Sequence, residues 1–172
     1  MKDWLLVDGY NVINHWPEFK LLREENLEHA RELLLTLLAE YGAFKGENVI
    51  LVFDALEVCG VSTEQRYGDL LVVFTGEGET ADSWIERRTY ELRNTAHKTF
   101  VVTSDFAEQI AILGFGAYRI SAREFRAEWL LVKKQIAEHQ SLKKPSNLAR
   151  NEIGSRLQGN VLAVFEDLRR KR

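Results

Sequence analysis

The stretch WLLVDGYNVINH, residues 4–15, decides how the rest of the chain is read. Four apolar residues run straight into Asp8, and Gly9, Tyr10 and Asn11 follow at once. An apolar run that stops at an acid is the pattern of a buried strand delivering a carboxylate to the edge of a sheet. That carboxylate either caps the next helix or takes part in chemistry, and the remaining strand ends bear on which.

Four further runs have the same nearly unbroken apolar character: NVILVF (48–53), LLVVFT (70–75), TFVVT (99–103) and AYRI (117–120). Helical patterns alternate with them, which predicts an α/β fold with a mostly parallel sheet and helices on its faces. One long helix is expected over 19–44, with Leu22, Leu27, Leu34, Leu38 and Tyr41 at helical spacings and Gly42 or Gly46 as its stop. A second is expected over 79–95, with Ile85, Thr89 and Leu92 on one face. A third covers 105–114 between Asp105 and Gly114, and a fourth covers 121–139, opened by a Ser121–Glu124 capping box. Residues 55–69 lack periodicity and read as a long loop. Beyond residue 140 the chain turns polar and ends in the helical pattern VLAVFEDLRRKR. The expected organisation is therefore one domain over 1–140 with a basic helical extension, 141–172, belonging to it.

Composition narrows the classes. Hydrophobic residues make up 45% and charged residues 28% of the 172, which is ordinary for a globular chain. No apolar run approaches the length of a membrane span, and the N-terminus lacks the pattern of a signal peptide. The single cysteine, Cys59, forms no internal disulfide and suits a reducing cytoplasm, the expected location. The net charge of −3 hides a split. Residues 1–86 carry 6 Lys and Arg against 17 Asp and Glu, whereas residues 87–172 carry 17 against 9. A basic second half suits an anionic partner such as nucleic acid, although solvated helix faces give the same imbalance.

The strand ends share one chemistry. Asp8 closes the first, Asp54 the second and Asp105 the fourth, and the third runs into a segment with Glu77, Glu79 and Asp82. In a parallel sheet these ends lie on one rim, where ligands of open α/β folds bind. Each acid has a structural reading of its own. Asp105 is a natural N-cap, Asp54 can open a loop, Asp82 suits the dipole of a first turn, and Asp8 can form an Asx turn. Together they crowd negative charge, which a divalent cation relieves; hard oxygen ligands suit Mg²⁺ or Mn²⁺. The matching chemistry is metal-assisted phosphodiester hydrolysis, with Asp8 and Asp82 as main ligands and Asp105 completing the shell. Asn11 can hold a phosphate or a metal-bound water, or can simply be a polar residue opening a short helix. A P-loop is excluded by the absence of its motif, and His15, His29, His97 and His139 have no zinc spacing.

Candidate RNA contacts follow from charge. The last 30 residues hold eight cations against three acids, among them Lys143, Lys144, Arg150 and Arg156. Arg87 and Arg88 extend this track or form a solvated helix face, and Arg66 and Tyr67 are placed to meet a single strand, Tyr67 by stacking or in loop packing. Trp84 and Trp129 read as core residues, and Trp16 as a possible flank of the cleft.

The segments LLVDGYNVI, VILVFDA, VVFTGEGETADSWIE, VVTSDFAEQ and GAYRISAREF occur in an order and spacing that resemble the YacP-like branch of the NYN-domain family, within the PIN-like nuclease superfamily. The likeness spans about residues 4–130. It implies a three-layer α/β/α fold and a metal-dependent endoribonuclease. It also matches Asp8, Asp82 and Asp105 to the family's active-site acids, with Asn11 and Asp54 beside them. Bacterial relatives of this branch cut mRNA on translating ribosomes, which implies RNA and the ribosome, rather than DNA or a membrane, as partners. The alternatives are a catalytically weak RNA- or ribosome-binding module of the same fold and a metal-dependent phosphohydrolase of small phosphate esters.

Overall fold

A computed structural model describes residues 2–54, 62–104 and 114–142. In chain order these form β1 (Trp4–Asp8), α1 (Gly9–His15), a 3-10 turn (Pro17–Phe19), α2 (Lys20–Glu25) and α3 (Leu27–Lys45). Then come β2 (Asn48–Phe53), β3 (Thr63–Tyr67), β4 (Leu70–Phe74), α4 (Ala81–Leu92), β5 (Thr99–Val102), β6 (Tyr118–Ile120) and α5 (Ala122–Leu142). The strands make one six-stranded sheet in the order β3-β4-β2-β1-β5-β6, parallel throughout except for β3 against β4. The expected α/β architecture is present. The chain separates into two compact units, Met1–Gln135 and Ile136–Arg172, and everything described below lies in the first.

Strand alternation sorts the core into two layers. Leu6, Ile50, Val52, Val73 and Val101 face α4 and pack with its Trp84, Ile85 and Leu92. The residues of opposite parity face the other helices. A Cβ on Gly42 of α3 would stand 2.7 Å from Val49 Cγ2, and a Cβ on Gly9 of α1 would stand 2.2 Å from the Phe53 ring. Glycine at those positions is what lets both helices lie directly on the sheet. This layer continues through Trp16, which is 1% exposed and not a cleft residue. Its ring meets Trp129 at 5.1 Å and Phe125 at 5.6 Å, and its Nε1 donates to the Ala122 carbonyl at 2.8 Å. Trp84 and Trp129 are buried as expected.

Two expectations need correction. The helix expected over 19–44 is interrupted: Asn26 is extended, and its side chain accepts from the backbone N–H groups of Glu28 and His29, opening α3 afresh. An N-cap reset costs little apolar burial, so the hydrophobic spacing runs through it unchanged. α3 then stops at Gly46, whose φ of 69° is left-handed. The second correction concerns residues 55–69, whose latter part is strand β3, joined to β4 by a tight turn with Gly68 at φ 61°. Every residue of β3 is exposed, so no buried face imprints an apolar alternation on TEQRY. The Ser121–Glu124 capping box is formed: Ser121 Oγ accepts from Glu124 N–H at 3.2 Å, and Glu124 Oε2 accepts from Ser121 N–H at 2.8 Å. The helix expected over 105–114 falls almost wholly outside the described residues.

Candidate active site

The chain runs from β1 outward to β2 and β4, then returns to lay β5 on the other side of β1. That reversal makes the carboxyl end of β1 the switch point of the sheet, and Asp8 occupies it. Side-chain parity puts Asp8 with Leu6, on the α4 side. Asp54 follows β2 with the parity of Ile50 and Val52 and therefore turns the same way. Its Oδ1 accepts the backbone N–H of Ala81, the first residue of α4. Thr80 caps that helix, its Oγ1 accepting from Ser83 N–H at 3.2 Å, and Asp82 sits in the first turn. Asp54 thus clamps the start of the helix that carries Asp82 to the strand beside Asp8.

Asp8 is both a helix cap and a perturbed acid. Asp8 does cap α1, with Oδ1 accepting from Asn11 N–H at 3.0 Å. A cap and its neighbouring N–H groups normally hold a carboxylate acidic. Here the pKa instead rises from 3.8 to about 6, because burial outweighs the hydrogen bonds and the charges of Asp82 and Asp54 push the same way. Among the described residues, the Asn11 side-chain oxygen is buried with no hydrogen-bond partner. The buried Asp8 carboxyl, the carboxyls of Asp54 and Asp82 that act on it and the Asn11 amide oxygen are all hard oxygen donors, the type that suits Mg²⁺ or Mn²⁺. Among the described residues, no three His, Cys, Asp or Glu side chains stand close enough to enclose a metal by themselves. Asp105, expected as the remaining acid, lies outside the described residues. Ser104, two residues beyond β5, accepts the Ala122 N–H at 3.3 Å and ties the end of that strand to α5.

The candidate RNA contacts are dispersed. Arg66 and Tyr67 lie on the exposed edge strand β3, where Tyr67 donates to Gln65 at 2.8 Å. Arg87 pairs with Glu79. Arg88 pairs with Glu91 at 2.8 Å and stands 5.8 Å over Trp4, at the amino end of β1 and away from Asp8. Lys143, Lys144, Arg150 and Arg156 lie outside the described residues.

One feature of the carboxyl edge carried no signal in the sequence. Arg31 of α3 donates through Nε to the Tyr10 hydroxyl at 2.9 Å, and its Nη2 donates to the same oxygen. Its place in LEHARELLL marks only a polar position on an amphipathic helix.

The family model for the YacP-like NYN domain matches residues 5–170. The protein YacP of Bacillus subtilis is 43% identical over 168 residues, covering 98% of this chain and 97% of that one. The crystal structure of Rae1 (YacP) from Bacillus subtilis matches with a TM-score of 0.72 at 43% identity, over 98% of this chain and 95% of the other. The structure of a tryptophan-to-leucine mutant of that protein matches with the same TM-score at 40% identity, over 87% of this chain and 89% of the other. The mixed α/β fold with its mostly parallel sheet and the match along nearly the whole sequence agree: this chain belongs to the YacP-like NYN-domain family, within the PIN-like nuclease superfamily.

Proposed function

We propose that this chain is a divalent-metal-dependent endoribonuclease that hydrolyses phosphodiester bonds of mRNA on translating ribosomes in the cytoplasm. The observation that carries the reading is Asp8, held at a pKa of about 6 at the switch point of the sheet by burial and by its acidic neighbours. A fold has little reason to retain such an arrangement for stability, since each unrelieved charge opposes the next. Membership of a family of nuclease-like domains supplies the reaction class.

Asp8 and Asp82 would hold a Mg²⁺ or Mn²⁺ ion, with Asp54 and Asp105 in or beside the shell and the Asn11 amide oxygen as a further hard donor. When bound, the ion supplies Lewis-acid polarisation of the phosphate and a more acidic water. The protein's share is positioning. The α1 cap fixes one oxygen of Asp8 and leaves the carboxylate further lone pairs. Asp54 sets the start of α4 and with it Asp82. Burial beneath the sheet edge lowers the local dielectric, so each charge acts more strongly on a phosphate than it would in water.

The test is cleavage of a translated mRNA in a reconstituted translation system by wild type, Asp8→Asn and Asp82→Asn, each with Mg²⁺ and with a naked-RNA control. Cuts by the wild type alone, dependent on ribosomes, are expected. Cuts on naked RNA as well would keep the nuclease and remove the ribosome requirement. Folded wild type that binds ribosomes and cuts nothing would establish the binding module instead.

A further inference from the structure

Arg31 stands among three aromatic rings, 5.5 Å from the centre of Tyr10 and 6.0 Å from those of Phe53 and Phe74. Phe53 is the last residue of β2, Phe74 the last of β4, and Tyr10 follows Asp8 by two positions. The guanidinium therefore sits at the same sheet edge as Asp8, but on the α3 side and displaced toward β4. Neighbouring strands are about 5 Å apart, so the lateral displacement from β1 is on the order of 5–10 Å, and the step over the sheet edge from the α4 side to the α3 side adds to it.

Six ion pairs form among the described residues, and none includes Arg31. A guanidinium has five N–H donors, and the Tyr10 hydroxyl occupies two of them. The rings orient the cation without neutralising it. Tyr10 accepts from Arg31 and has no described acceptor for its own O–H. The pair thus presents a fixed fork of N–H donors together with a phenol O–H; among the described residues no carboxylate forms an ion pair with Arg31, and Asp54 and Glu28 act on Tyr10 only through their charge. Such a fork matches a phosphate or a carboxylate in charge and shape, and phosphate is the anion that an RNA strand brings to this edge.

We infer that Arg31 and Tyr10 form a phosphate-binding subsite, which holds a backbone phosphodiester of the RNA strand next to the one placed at Asp8. The inference rests on the nuclease reading for the strand's identity; the phosphate chemistry rests on the pair itself. A ring-clamped cation with no ion pair among the described residues, in the acidic half of the chain, also explains how an anionic strand is accepted beside Asp8, Asp54 and Asp82.

The experiment measures binding of a fluorescein-labelled oligoribonucleotide by anisotropy, across a salt series with Mg²⁺, in an Asp8→Asn background that prevents cutting. Arg31→Gln is expected to weaken binding by about tenfold or more and to reduce the slope of log K against log salt by about one. Tyr10→Phe keeps the ring and loses only the hydroxyl, so it should give a smaller loss, and Arg31→Lys an intermediate one. In the otherwise wild-type protein, Arg31→Gln should raise KM for cleavage and leave kcat nearly unchanged, the signature of a binding contact. Thermal melting reports folding; if Arg31→Gln does not fold, Arg31→Lys and Tyr10→Phe decide. Unchanged affinity and salt slope in folded variants would overturn the subsite, even while wild type cleaves RNA. Arg31-dependent binding without wild-type cleavage would keep the subsite and remove the nuclease. Wild type that neither binds nor cleaves RNA would remove both.

Discussion

The two ends of this sheet differ in how closely they gather acidic side chains. At the amino end and its flanks several acids have partners, although burial pushes the half-buried Glu47 up despite the nearby Lys45. Asp69 pairs with Lys2 at 2.6 Å, Asp3 accepts the Lys98 N–H at 3.0 Å, and Arg88 over Trp4 is matched by Glu91. At the carboxyl end Asp8 faces Asp54 and Asp82, and its pKa rises as a result of burial and of those two charges. One set of charges is arranged for the folded state alone. The other opposes it, and on the proposed function a cation and an anionic substrate would relieve that opposition.

That contrast can be broken most decisively by activity. Asp8→Asn is expected to cut the rate of RNA cleavage by at least about 10²–10³-fold, the size of losing one preorganised electrostatic group. Asp69→Asn should leave it within experimental error. Equal losses in a gel-based cleavage assay would mean that the two ends do not differ in function.

A second prediction concerns how the carboxyl edge is built. Gly9→Ala drives a Cβ into the Phe53 ring, so the variant should lose about 1–3 kcal/mol in urea unfolding, with α1 displaced and activity lost. An unperturbed variant would show that α1 is not held against β2. The smallest effect is expected at the amino end. Lys2 and Asp69 are nearly half exposed, so Asp69→Asn should cost less than about 1 kcal/mol and less still in high salt. A larger loss would mean that partnered acids there do more than balance charge.

The sequence showed the carboxyl edge more readily than its surroundings. Strands buried on both faces print an unbroken apolar run that ends where solvent begins, so β1, β2, β4 and β5 and the acids behind them could be read directly. Strand β3 could not, because an exposed edge strand has no buried face to mark it. The break at Asn26 was hidden because the apolar spacing persists across the cap. Arg31 was hidden for a different reason. What singles it out is a gathering of three rings from three distant segments, and only the fold creates that. The raised pKa of Asp8 likewise depends on how deep the strand end lies, although the convergence of acids behind it was foreseeable.

The most direct test of the charge-crowded edge is thermal and urea unfolding of metal-free wild type and Asp8→Asn between pH 4 and pH 8, with and without millimolar Mn²⁺. A carboxyl whose folded pKa lies above its unfolded value binds more protons when folded, so stability falls as pH rises from 3.8 to about 6 and stays lowered above that. Asn keeps the cap and removes the charge. Asp8→Asn should therefore match wild type near pH 4 and exceed it by about 2–3 kcal/mol above pH 7, with Mn²⁺ stabilising wild type and closing the gap. A variant less stable than wild type at pH 7, or a wild type indifferent to Mn²⁺, would contradict the account.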